Sequence, residues 1–131
     1  MVTEPRSLGA YATAQEAGVL LARPEVRAVF VVGDDGRLVG VVTRKTLVRE
    51  VVATGRVPGE TPLGDIAEPP HWTIEGDMPV EEAFHFLEEH DAERVPVVEN
   101  GRLVGVLSRS VLQRRLAEDE GPLDDGAETS G

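Results

Sequence analysis

The 131-residue chain has no cysteine, which excludes disulfides, thiolate nucleophiles, thiolate metal sites and iron–sulfur clusters together. It holds one lysine, Lys45, and its arginines are scattered, so no clustered cationic face for nucleic acid is expected. No apolar run approaches the roughly 18 residues a membrane-spanning helix needs, and no membrane association is expected. The opening MVTEPRSLG lacks the basic and then apolar stretch of a secretory leader. Together these absences read as a cytoplasmic protein. The three histidines, His71, His85 and His90, have no His-x-x-x-His spacing, so no metal site is expected. Nucleophile elbow, Walker loop and dinucleotide fingerprint are all missing, and the chain reads as a non-enzyme.

What is present is an ordinary globular composition, 40% apolar and 28% charged, with a formal net charge of -11. The charge is uneven: beyond Arg115 come six acids and no base, leaving a body of net -5. Residues 118–131 are therefore expected to be an acidic, disordered tail.

The most informative feature is an internal repeat. The block from Gly36 to Arg49 aligns with Gly101 to Arg114 with nine of fourteen positions identical. Upstream, Val29 to Val32 matches Val95 to Val98, and Gln15-Glu-Ala17 matches Glu81-Glu-Ala83, at a spacing of 66 rather than 65. The extra residue falls in the turn between the two apolar runs, where it is easily absorbed.

Each copy reads β-α-β-β-α. Apolar residues at Ala14, Ala17 and Leu21, and at Val80, Ala83, Phe84 and Leu87, have helical spacing. Thr13 with Glu16 predicts a capping box, and Asp77 before Met78-Pro79 predicts the other helix start. The β-branched runs Val29 to Val32 and Leu38 to Val42, and Val95 to Val98 and Leu103 to Leu107, predict two antiparallel hairpins. Ser7-Leu8 and Trp72 to Ile74 predict opening strands, and helices from about Arg44 to Val52 and Arg109 to Ala117 close the copies. The resulting division is 1–56 for the first repeat, 57–71 for a linker and lead-in, 72–117 for the second repeat and 118–131 for the tail. Within the linker, Thr61 predicts the cap of a short helix with Pro62 in its first turn. The first repeat has only Met1 to Arg6 in the place of this lead-in. Copies of about 55 residues barely cover their own apolar faces, so the two are expected to pack about a pseudo-twofold axis, with function at the seam.

Thr43-Arg44 and Ser108-Arg109 each stand where a strand runs into a helix. A capping hydroxyl beside free amides and an arginine suits an anion; it also suits a cap and a solvated arginine and nothing more. Trp72 reads as core or interface packing. Arg94 reads as a phosphate contact or as the partner of a surface acid such as Glu93. Phe84, Phe86 and Leu87 read as core or interface residues.

Arg94-Val-Pro-Val-Val98, a turn, Gly-Arg-Leu-Val-Gly-Val-Leu-Ser and a helix, present twice, resemble a tandem pair of CBS domains from Ser7 to about Ala117. The resemblance implies an α/β (α+β) fold of two repeats packed through their sheets, assembly into a homodimer, and regulation of an unidentified protein. It further implies clefts for AMP, ADP, ATP or S-adenosylmethionine, or another small anionic metabolite, with no required cofactor. Thr43 and Ser108 match the hydroxyl of the family signature Gly-x-x-Thr/Ser-x-x-Asp. The Asp position is Thr46 in the first copy and Val111 in the second, so both lack the carboxylate that would take ribose hydroxyls. The ligand residues expected on this basis are Thr43, Arg44, Thr46, Trp72, Arg94, Ser108 and Arg109. A module of another class, acting by dimerisation alone with vestigial clefts, fits the same residues.

Overall fold

The computed structural model describes residues 2–3 and 6–120. Seven strands and four α-helices follow in order: β1 (Val2–Thr3), β2 (Ser7–Gly9), α1 (Ala14–Leu21), β3 (Val29–Val32), β4 (Leu38–Val42), α2 (Arg44–Leu47), β5 (Ile74–Glu75), α3 (Val80–Glu89), β6 (Arg94–Glu99), β7 (Arg102–Ser108) and α4 (Arg109–Glu120). Both predicted hairpins form, β3 with β4 and β6 with β7, and each carries a parallel opening strand, β2 on β3 and β5 on β6. The result is a mixed α+β molecule of two β-α-β-β-α units, each with its own core. Leu21, Val29, Val42 and Leu63 are buried in the first, and Leu87, Val95, Leu107 and Leu112 in the second. Phe84 and Phe86 pack against the second core from its margin. Each such aliphatic side chain contributes about 1.5–3 kcal/mol on burial.

Two sets of contacts relate the halves by a pseudo-twofold axis. At the hairpin turns the Leu38 amide donates to the Gly101 carbonyl at 3.0 Å, and the Leu103 amide to the Gly36 carbonyl at 3.1 Å. Gly36 and Leu38 are the repeat equivalents of Gly101 and Leu103, so this pair of bonds is its own image. The second set is an exchange of lead-in segments. β1 pairs antiparallel with β7 of the other repeat, while Val41 in β4 bonds both ways with Glu68, at 2.7 and 2.9 Å. The short segment before the first repeat thus makes the same pairing as the longer linker before the second. Gly40 permits that contact: a Cβ there would lie 2.7 Å from the Glu68 carbonyl oxygen and 3.0 Å from the Ala67 Cβ.

Local signals hold where the chemistry is short-range. Thr13 forms the expected capping box, its amide donating to Glu16 Oε2 at 3.0 Å and its Oγ1 accepting from the Glu16 amide at 3.2 Å. Asp77 does not cap α3. Pro79 takes the cap position, its extended backbone delaying the helix until Val80, and no side chain caps it. Thr61 does not cap a helix either: its hydroxyl donates back to the Val57 carbonyl at 2.8 Å, between 3-10 turns at Pro58–Glu60 and Leu63–Asp65. The helix expected from Arg44 to Val52 is α-helical only to Leu47 and then widens into a π-helix at Val48–Val52. Trp72 precedes the opening strand β5 instead of lying in it. α4 runs three residues past Ala117 to Glu120. The rest of the expected tail, 121–131, lies outside the described residues.

Candidate functional site

A cavity of about 320 Å³ straddles the pseudo-twofold axis. Its walls come in repeat-equivalent pairs: Val41 with Val106, Phe30 with Pro96, Ala28 with Arg94, and Arg6 with Trp72. The strands thus supply an apolar floor, and the segments leading into them supply the rim. Arg27 and His71 join the rim, and Glu25 is its one acid among the described residues. Three guanidiniums around an apolar floor attract an anion with a flat or apolar body, and the volume falls in the small-molecule range. The asymmetry is chemical: where the first repeat places Ala28 and Phe30, the second places Arg94 and Pro96.

Of the residues expected from sequence, Trp72 and Arg94 line this cavity; Thr43, Arg44, Thr46, Ser108 and Arg109 do not. At the start of α2, Thr43 and Thr46 cap each other. The Thr46 amide donates to Thr43 Oγ1 at 3.3 Å and the Thr43 amide to Thr46 Oγ1 at 3.0 Å. Thr46 is fully buried, and its hydroxyl donates to Glu68 Oε2 at 2.6 Å. Arg49 makes a salt bridge to the same carboxylate oxygen. At the start of α4, Ser108 ends β7, and its hydroxyl donates to Glu93 Oε2 at 3.3 Å. The Ser110 amide meets that oxygen at 3.4 Å, so a glutamate from the preceding loop does the capping expected of Ser108.

The two arginines are equivalent clamps. Arg44 Nη2 donates to the carbonyls of Arg23 and Val26, both at 2.8 Å. Arg109 reaches Asp91 at 3.4 Å and Glu93 at 3.7 Å, while its amide donates to the Glu93 carbonyl at 2.7 Å. Each ties a helix start to the loop entering the cleft wall, at Val26–Ala28 in one half and at Glu93–Arg94 in the other. Sequence reasoning passed over Arg6, Arg27, Phe30 and His71. The repeat alignment held the signal for two of them, because Arg6 is the counterpart of Trp72 and Phe30 that of Pro96.

Both helix-start carboxylates are held below the ordinary carboxylate range. For Glu68 the Thr46 hydroxyl is the main cause, with Arg49 adding to it against the opposing effect of burial. For Glu93 burial pushes upward, but Ser110, Ser108 and the Arg109 charge together outweigh it. As pH falls, the unfolded chain takes up these protons first. The stability the two groups supply is therefore present above the ordinary carboxylate value and lost as pH drops through their depressed folded values. Melting temperature is expected to hold level from pH 8 to about 5 and to fall below that. Glu68→Gln and Glu93→Gln should each lower the plateau and flatten the acid limb, which melts across the pH range will check.

The fold and the duplicated strand-to-helix junctions define a module of two paired repeats, and the family comparison agrees. The family model of the CBS domain matches residues 1–53 and 61–118, and the chain belongs to that family, carrying two copies in tandem. Hypoxic response protein 1 of Mycobacterium tuberculosis is 29% identical over 111 residues, covering 85% of this chain and 78% of that one. The crystal structure of Hypoxic Response Protein I with two coordinated zinc ions matches with a TM-score of 0.70 at 28% identity, over 85% of this chain and 90% of the other. Staphylococcus aureus OpuCA shares the fold at a TM-score of 0.75 and 20% identity, covering 90% and 97% of the two chains. Among the described residues here, no three His, Asp or Glu side chains converge as a metal-binding group, and no helix is long and apolar enough to cross a membrane.

Proposed function

We propose that the chain is a non-catalytic regulatory CBS-domain pair that binds a small anion with a flat or apolar body in its seam cavity. As a homodimer it passes occupancy to a partner protein. The observation that carries this reading is the cavity on the axis, with Arg6, Arg27 and Arg94 around Phe30, Pro96, Val41, Val106 and the Trp72 ring. Arg94 and Trp72 touch the ligand, Arg94 at the anionic group and Trp72 by stacking. Thr43, Arg44, Thr46, Ser108 and Arg109 support the walls. AMP, ADP, ATP and S-adenosylmethionine are the first compounds to try, since each joins a flat ring to charge. With Thr46 and Val111 at the signature Asp positions, a ribose gains no charge-assisted acceptor there, which favours ligands recognised by ring and anion instead.

A thermal-shift series tests this. A compound at 100 times its dissociation constant adds about 2.7 kcal/mol to stability. Arg94→Ala and Trp72→Ala are each expected to weaken binding about tenfold or more, the loss of one charge-assisted contact or one stacking surface. Equal shifts in wild type and both variants would place the ligand elsewhere.

A second reading, an interaction module without a ligand, rests on a different surface. Val19 and Val52, 68% and 71% exposed, line an apolar groove between α1 and the π-helix. A second copy covering this face would bury these valines, and Val52→Asp is expected to shift the chain from dimer to monomer in sedimentation. No compound shifting the melt, with the dimer intact, would favour this reading over the first.

A further inference from the structure

Trp72 has a second set of contacts that its role in the cavity leaves unused. Its ring stacks on His90 with centroids 4.1 Å apart and planes 28° from parallel, and meets Phe86 edge-on at 6.0 Å and 87°. Phe86 in turn packs on His90 at 4.4 Å. His90 is the residue on which α3 ends, its amide still donating to the Phe86 carbonyl. Trp72 itself is 42% exposed, so a ring held on one face by His90 keeps surface for a ligand. The first repeat has nothing like it. At the 66-residue spacing Arg6, Leu20 and Pro24 stand where the second has Trp72, Phe86 and His90.

From this we infer that His90 is the positioning residue for the cavity: it fixes the Trp72 ring as a wall although it does not line the cavity itself. Through the same stack, occupancy reaches the end of α3, which does not itself line the cavity, whereas the segment after α1 lines it directly at Glu25 and Val26. The inference rests on the seam cavity being the ligand site, and it names the route by which that site is heard in the second repeat. The physics is ordinary. An indole free to swing presents many orientations, of which one stacks on a ligand; a neighbour holding that orientation removes the ordering cost from the binding step. A ligand pressing on the ring likewise favours the arrangement in which the end of α3 is packed against it.

Because Trp72 is the sole tryptophan, its fluorescence reads the stack without any ligand. In wild type the indole is expected to be partly shielded from acrylamide. His90→Ala should raise the quenching constant at least twofold and red-shift the emission, and His90→Phe, which keeps a flat ring at the position, should restore both. Phe86→Leu, a milder change on the same helix, should give an intermediate value if His90→Ala folds poorly. The same proteins are then titrated with AMP and ATP. His90→Ala is expected to bind about threefold to tenfold more weakly than wild type and His90→Phe equally well. Ligand should slow amide exchange at His90 to Ala92. Quenching identical in wild type and His90→Ala would overturn the positioning role, with or without a ligand. Tight, Trp72-dependent binding that leaves exchange at the end of α3 unmoved would overturn the route alone. If neither nucleotide binds while His90→Ala unshields the indole and His90→Phe restores it, the ring-holding role stands and the nucleotide reading of the cavity fails.

Discussion

Thr46→Asp, the change that would complete the family signature in the first repeat, is expected to destabilise the protein by about 3 kcal/mol instead of improving it. Thr46 is fully buried, and its hydroxyl is the donor that Glu68 accepts at 2.6 Å. A hydrogen bond to a charged group contributes about 1.5–3 kcal/mol, and the substitution removes it. It also sets a second carboxylate against the first, so that one of the two must take a proton or leave the site. Melts at pH 7.5 should show a loss of roughly 10 °C for a chain of this size. The loss should shrink towards pH 5 as a shared proton becomes cheaper to hold, and Thr46→Asp with Glu68→Gln together should recover most of it. A loss below about 1 kcal/mol would mean that Glu68 swings free and that its bond to Thr46 contributes little.

Gly40→Val is expected to be at least as damaging, by a different cause. Its Cβ would sit 2.7 Å from the Glu68 carbonyl oxygen and 3.0 Å from the Ala67 Cβ. Neither neighbour is the loose end of a flexible side chain; both belong to the segment paired with β4. Relief of the overlap requires that segment to move off the strand, giving up both bonds between Val41 and Glu68 at about 1 kcal/mol each. With the strain of a forced contact, typically about 1–3 kcal/mol, the expected loss is about 3–5 kcal/mol. Denaturant unfolding should show it as a lower midpoint, and amide exchange at Val41 and Glu68 should rise well above that of the turn pair at Leu38 and Leu103. An unchanged midpoint would show that the linker accommodates a side chain at position 40.

What the sequence revealed follows the range of the interaction responsible. The hairpins were legible almost to the residue, because alternating valines and a turn of three or four polar and glycine residues act over a few positions. The capping box at Thr13 was legible for the same reason. The repeat identified the axis, since Gly36 to Arg49 and Gly101 to Arg114 share a pattern too long to arise by chance. Interactions across many residues left no local mark. Glu68 lies 22 residues from Thr46, and Glu93 15 from Ser108, so nothing near the helix starts announced the carboxylates that hold them. The pairing of β1 with β7 joins residues about a hundred positions apart, and a two-residue strand has no periodicity to read. The cavity was half legible for a related reason. Trp72 and Arg94 stand out by type, whereas Phe30 and Arg6 acquire meaning only once their counterparts across the axis are known.

The exchange of lead-in segments bears on how the chain is made. As it leaves the ribosome the first repeat emerges whole, yet β4 has no neighbour on its outer edge until Glu68 follows. Val2 and Thr3 then wait for β7 before they find a partner. Until Glu68 is out the nascent polypeptide carries two unpaired edges, and until Leu107 is out it still carries one, each able to capture another strand. Closing of the β1 edge is thus tied to the arrival of β7, and a chain halted between the repeats would be left sticky and unfinished.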